Sequence, residues 1–129
     1  MPLTRASSQS ATSLQDFYES LVNSEDSVSS SVGTQMLSLL PLLDDLCRTQ
    51  HAWGLTSLAH LWLLSEDAWT SRWHVCITAC PGEGYRIRYR MPETRAPWPD
   101  AVVDGQARDE AHACQLIAIA MRESGGWLG

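Results

Sequence analysis

Residues 72–92 carry the clearest alternation in the chain. Trp73, Val75, Ile77 and Ala79 alternate with His74, Cys76, Thr78 and Cys80. After the turn Pro81-Gly82-Glu83-Gly84, Tyr85, Ile87, Tyr89 and Met91 alternate with Arg86, Arg88 and Arg90. A period of two on both sides of a short Pro/Gly loop predicts a half-buried antiparallel hairpin. The aromatic and aliphatic set then faces the core, and the three arginines form a row on the opposite face, about 6.5–7 Å apart. Upstream, residues 56–64 read as one strand. Ser57, Ala59, Leu61 and Leu63 share one of its faces, and Leu58, His60, Trp62 and Leu64 share the other, a pattern of a covered strand. Ser65-Glu66-Asp67 reads as a turn, and Ala101-Val102-Val103 as a short edge strand.

Helical spacing appears in three places. Leu14, Phe17, Tyr18, Leu21 and Val22 form a stripe over residues 12–23, with Thr12 or Ser13 as cap and Gln15 or Asp16 closing a capping box. Met36, Leu39, Leu40, Leu43, Leu46 and Cys47 define a second helix to about residue 48. Val28 and Val32 are in phase with it and Ser24 is a cap candidate, so its start falls either near residue 25 or near residue 38. The later start, or a kink, would accommodate Pro41, which removes a backbone bond and clashes with the preceding turn. His51-Ala52-Trp53-Gly54 should end this helix. The last helix is expected over residues 106–124, packing through Ala107, Ala111, Cys114, Ile117, Ala118 and Met121, stopped by Gly125-Gly126, with Trp127 folding back. Between the sheet and that helix, residues 92–100 hold Pro92, Pro97 and Pro99 and read as an extended connector, with Trp98 anchoring it onto the domain.

These elements predict an α+β domain: a three- to four-stranded antiparallel sheet (a β-meander), packed by a C-terminal helix, with two N-terminal helices. It occupies residues 12–129 and follows a flexible Ser-rich leader over residues 1–11. A chain of 129 residues is large enough to bury roughly two-thirds of its unfolded surface in one core.

Composition narrows the function classes. The net charge of −6 argues against a general nucleic-acid or anionic-membrane binder, which needs a cationic face, and suits a basic partner. All nine basic residues are arginine, so every cationic contact is a forked, bidentate-capable group. Six tryptophans are too many to be central in one small core, which points some of them toward an interface. No stretch resembles a secretory signal or a membrane span, and the thiols are expected reduced in a cytoplasmic protein. Cys76 and Cys80, four apart on a strand, would stand about 13 Å from each other, too far for a disulfide or a shared metal ion.

The chemistry-bearing motifs are sparse. There is neither a Gly-x-Ser-x-Gly elbow nor a glycine-flanked cysteine, and Gly82-Glu83-Gly84 belongs to a hairpin, with no helix after it. The paired carboxylates Asp44-Asp45, Glu66-Asp67 and Asp109-Glu110 read as solvated faces. No catalytic residue, metal site or cofactor is therefore assigned, and a non-enzymatic binder is expected. The partner-binding candidates are Arg86, Arg88 and Arg90, exposed Trp69, and the acidic residues Glu66, Asp67, Asp100 and Asp104.

The order of strands and helices is topologically similar to the double-stranded-RNA-binding domain. That family, however, opens its last helix with a lysine-rich clamp where this chain has Ala107-Arg108-Asp109-Glu110-Ala111-His112, so RNA binding is not carried over. The hairpin ending Tyr85-Arg86-Ile87-Arg88-Tyr89, the segment Ala96-Pro97-Trp98-Pro99 and the close Met121-Arg122-Glu123-Ser124-Gly125-Gly126-Trp127 resemble a small bacterial immunity protein of a polymorphic or contact-delivered toxin system. That resemblance implies a cytoplasmic inhibitor that binds a cognate toxin or effector, and acidic residues would suit a toxin with a cationic cleft. Type III secretion chaperones, which are small acidic α+β dimers, supply an alternative with a homodimer. A small enzyme without a recognisable motif is the other.

Overall fold

A computed structural model describes residues 3–7, 12–67 and 73–127. The chain is α+β, and its described residues form six strands and three helices: β1 (Leu3–Arg5), α1 (Leu14–Val22), α2 (Ser27–Leu46), β2 (Ala52–Ser57), β3 (His60–Leu64), β4 (Val75–Cys80), β5 (Gly84–Arg90), β6 (Val102–Ala107) and α3 (Glu110–Ser124). The strands form one sheet in chain order. Every neighbouring pair is antiparallel except β1 and β2, which run parallel. Part of the expected leader therefore belongs to the sheet, since Leu3 pairs with Ala52 and is buried.

The sheet is larger than expected because residues 52–64 form a hairpin and not a single strand. Leu58 and Ala59 make its turn in the left-handed region (φ 51° and 72°), and Ser57 pairs with His60. Ala52, Gly54 and Thr56 face the helices. Gly54 lacks a side chain where Leu14 packs: a Cβ would meet the Leu14 Cδ1 at 2.8 Å.

Ser13 caps α1 by accepting from the Asp16 N–H. Asp26, two residues beyond the expected Ser24, caps α2 through the Ser29 N–H. The second helix takes the early start and passes through Pro41, which is exposed. Both helices cross at Gly33, where a Cβ would stand 2.6 Å from the Tyr18 carbonyl oxygen. Asp109 caps α3 through His112 N–H, and Gly125 (φ 79°) closes it. Because Asp104 to Ala107 extend β6, α3 starts four residues later than the spacing predicted. Its buried face is Ala113, Ile117, Ala120, Met121 and Ser124, whereas Ala111 is exposed.

One core joins Leu14, Tyr18, Met36, Leu39, Leu43 and Ile117 of the helices to Leu61, Leu63, Val75, Ile77, Ala79, Tyr85, Ile87 and Ala107 of the sheet. Tyr85 is almost fully buried and donates to the Gln35 carbonyl at 2.7 Å, while Tyr89 is partly buried against the same cluster. The alternation read from residues 75–90 thus has the expected sense. Trp73 is the exception: it does not face α3 but packs edge-on against Trp62. Among the described residues no helix is long and apolar enough to cross a membrane.

Candidate protein-docking face

Strand residues that alternate with the core set point away from the helices, leaving the opposite sheet face without a helical cover among the described residues. Cross-strand register lines them into rows. Leu55, Trp62, Cys76, Arg88 and Asp104 form one row, and Ser57, His60, Thr78, Arg86 and Gln106 form the next. Arg90 lies beside Val102, toward the other end of the face.

The three arginines share this face, as the period of two requires, but their surroundings differ. Arg86 is half-exposed and holds Asp104 across the β5–β6 pair, with Nε donating to both carboxylate oxygens at 3.0 and 2.8 Å. That hydrogen bonding holds the Asp104 carboxyl below its ordinary range. Arg88 lies over Cys76 and donates through Nη2 to Sγ at 3.4 Å. Burial pushes the Cys76 thiol up, with the Arg88 hydrogen bond opposing it, so the thiol is a shielded acceptor and not a thiolate nucleophile. Arg90 sits 5.0 Å above the Trp73 ring, and its closest carboxylate, Asp100, is 3.7 Å from Nη1. Trp73 in turn contacts Trp62 at 4.8 Å between ring centroids, so indole and guanidinium groups interleave. His60 bonds Thr78 at 2.7 Å, and burial, with the charge of Arg88, lowers its pKa.

The hydrogen-bond ledger of the face is one-sided. Among the described residues, four buried side-chain polar atoms have no partner: Trp62 Nε1, Arg88 Nε, Arg90 Nε and Gln35 Oε1. The first three are donors and all belong to this face. A buried donor left without an acceptor costs about 1–3 kcal/mol, so three in one neighbourhood call for an explanation.

The acidic candidates do not form one patch. Asp100 and Asp104 belong to the arginine row through Arg90 and Arg86. Glu66 and Asp67 are exposed at the turn after β3, where Asp67 accepts from Ser7 N and Oγ at 2.9 and 2.7 Å, and these bonds lower its pKa. Trp69 lies outside the described residues.

Sequence reasoning missed two members of the site. Trp62 was placed on a covered strand, although its alternation with Leu61 and Leu63 already separated it from them. Trp98 was taken as an anchor but is 67% exposed. The connector carrying it is not extended polyproline; it folds back on itself, with Arg95 and Ala96 N–H both donating to the Pro92 carbonyl. Comparison of the chain with protein families, with curated proteins and with solved structures finds no match in any of the three.

Proposed function

We propose that this chain is a non-catalytic blocking protein that docks one protein partner through the helix-free face of its sheet, in the manner of an immunity protein neutralising a bacterial toxin. The observation that carries the reading is the set of buried, acceptor-less donors on Trp62, Arg88 and Arg90. Tryptophan and arginine are the residues that most often dominate interface energetics, and here they are interleaved on one face. A partner that fits offers carboxylates to Arg88 and Arg90 and apolar groups to the paired indoles. A cationic cleft on the same partner would meet Glu66 and Asp67 beyond the row.

The test uses the product of the adjacent open reading frame, expressed alone, with this protein, and with a variant carrying Arg86→Ala, Arg88→Ala and Arg90→Ala. The expected result is toxicity that the native protein relieves and the variant does not, with the variant's melting temperature within a few degrees of native. Removal of one desolvated interface arginine costs 2 kcal/mol or more, about 30-fold in Kd, against about 0–1 kcal/mol for an exposed ion pair in folding. A harmless neighbour, or a variant that protects as well as the native chain, refutes the proposal.

A two-fold dimer through β6 is the second reading, favoured by the exposed Val102 (44%) and Val103 (37%) on that edge strand. Light scattering decides it: a monomer across the micromolar range rules it out.

A further inference from the structure

At the Arg90 end of the docking face, the 92–100 loop and the sheet enclose a cleft of about 800 Å³. Trp73, Met91, Pro97 and Trp98 supply apolar walls, Arg90 supplies the positive charge, and Glu93 and Asp100 supply two carboxylates. Its geometry is fixed before any ligand arrives. Arg95 ties the loop to the end of α3, donating from Nη2 to the Glu123 carbonyl at 2.7 Å and from Nη1 to its carboxylate at 3.3 Å. Met91 N–H donates to the Ala101 carbonyl, and Ala101 N–H to the Trp98 carbonyl. An indole that is two-thirds exposed is therefore carried between prolines on a pinned loop, so little backbone freedom remains to be lost on binding.

Arg90 is the polar group of this cleft with unused capacity. Its guanidinium makes no hydrogen bond among the described residues. Asp100 stands at 3.7 Å, an ion pair beyond hydrogen-bond length. Nε has no acceptor, and a quarter of the side chain remains exposed. Arg90 pairs with the exposed Val102 of β6 and belongs to the arginine row, so the cleft lies at the end of an extended surface.

We propose that this cleft is the anchor subsite of the docking face, and that it takes an extended segment of the partner protein carrying an Asp or Glu beside an apolar residue. The carboxylate binds the Arg90 guanidinium, and the neighbouring apolar side chain lies between Trp73 and Trp98. This rests on the protein-docking reading above and names the chemistry its partner must offer. Asp100 acts as an internal stand-in for the incoming carboxylate, holding the Arg90 guanidinium in the absence of a partner and competing with the ligand for it.

The experiment titrates the full chain with two pools of terminally blocked pentapeptides. One carries Glu and the other Gln at the central position, flanked by Leu, Val, Phe, Pro or Tyr; inorganic phosphate is the third probe. The readout is the indole N–H resonances of Trp73 and Trp98, assigned through Trp→Phe variants. Expected are saturable shifts of both with the Glu pool, at least tenfold weaker binding of the Gln pool, and no saturable shift with phosphate. Arg90→Gln should abolish the preference for Glu over Gln. Trp98→Ala, at an exposed position that leaves the fold intact, should weaken both pools. Asp100→Asn, which the left-handed φ of 62° tolerates as it does Asp, should tighten the Glu pool several-fold by removing the competitor. Equal binding of the two pools, absence of any saturable shift, a phosphate response matching that of Glu, or an unchanged or weakened Glu response in the Asp100→Asn protein would each overturn the proposal. The result is independent of the toxicity assay: a harmless neighbouring gene product with intact Glu-selective binding removes the toxin reading alone.

Discussion

Replacing Gly84 with alanine tests the register that puts three arginines on one face. Gly84 opens β5 in the left-handed region at φ 86°, and a Cβ there would lie 2.0 Å from the Ala107 carbonyl oxygen. The left-handed backbone alone costs a non-glycine residue about 1–2 kcal/mol. The steric conflict is additional, because the opposing atom is backbone of the Tyr85–Ala107 pair and cannot rotate away. Moving it gives up a ladder hydrogen bond, worth about 1 kcal/mol when made and about 1–3 kcal/mol when a buried group is left unpaired. The sum is about 2–5 kcal/mol, in the upper part of the range for a single substitution. Gly82, two residues earlier in the turn, supplies the control. Its φ is 79°, but a Cβ there meets nothing within 4 Å, so Gly82→Ala should cost only the conformational part, about 1–2 kcal/mol. Urea unfolding followed by tryptophan fluorescence should place the Gly84→Ala midpoint below that of Gly82→Ala, by about 1 M for a difference of about 2 kcal/mol and a slope of about 2 kcal/mol/M. Equal midpoints would refute the contact between the start of β5 and the end of β6, and with it the register that aligns Arg86 with Gln106 and Arg88 with Asp104.

Two further outcomes follow from ionisable groups. The hydrogen bonds from Arg86 hold the Asp104 carboxyl below its ordinary value. The stability this contributes is therefore present above the unfolded-state carboxylate pKa and lost as pH falls through the depressed folded value. Since the pair is largely exposed, Asp104→Asn should cost at most about 1 kcal/mol at pH 7, with native and variant melting curves converging as the pH falls through the depressed carboxyl range; a gap that persists in acid would exclude the pair as its source. The Cys47 thiol is pushed up to about 12, by burial first and then by Asp44 and Cys114. At pH 8 its labelling by a disulfide reagent should track global unfolding across a urea series, and rapid labelling of the native protein would contradict its burial.

Residues 75–90 were legible because each strand face is chemically uniform and the turn is built from proline and glycine. The first hairpin was not, because Leu58 and Ala59 occupy left-handed turn positions that composition assigns to Gly, Asn or Asp. Tertiary pairing of Trp53 with Leu64 and Leu55 with Trp62 overrides that local preference. The β6–α3 boundary failed for the opposite reason. Asp104-Gly105 has the composition of a break, yet Gly105 lies within the strand, where the Leu116 Cδ1 comes within 3.5 Å of its Cβ position. Within α3, Ile117 and Met121 are buried as expected, but they are joined by Ala113 and Ala120 and not by Ala111. β1 had no local signal at all, since three residues pairing in parallel with a strand 49 positions away leave no periodicity to read. On the docking face, alternation located the arginines but could not show which were satisfied. That depends on Asp104, Asp100 and Cys76, which strand pairing and loop folding bring to them.

Both ends of the described chain converge on His51. The Thr4 hydroxyl lies 3.0 Å from the His51 ring Nε2, and the Trp127 indole donates to the His51 carbonyl at 2.9 Å. The polypeptide is thus nearly a closed circuit, cut beside β2. A circular permutant that joins the two ends by a short linker and reopens the exposed tip at residues 81–83 would retain the whole sheet order. It would convert the β4–β5 hairpin into a long-range pairing and leave the arginine strand at the new amino terminus. Folding rate would then report how far that hairpin nucleates the sheet, while the equilibrium structure of the docking face stayed the same.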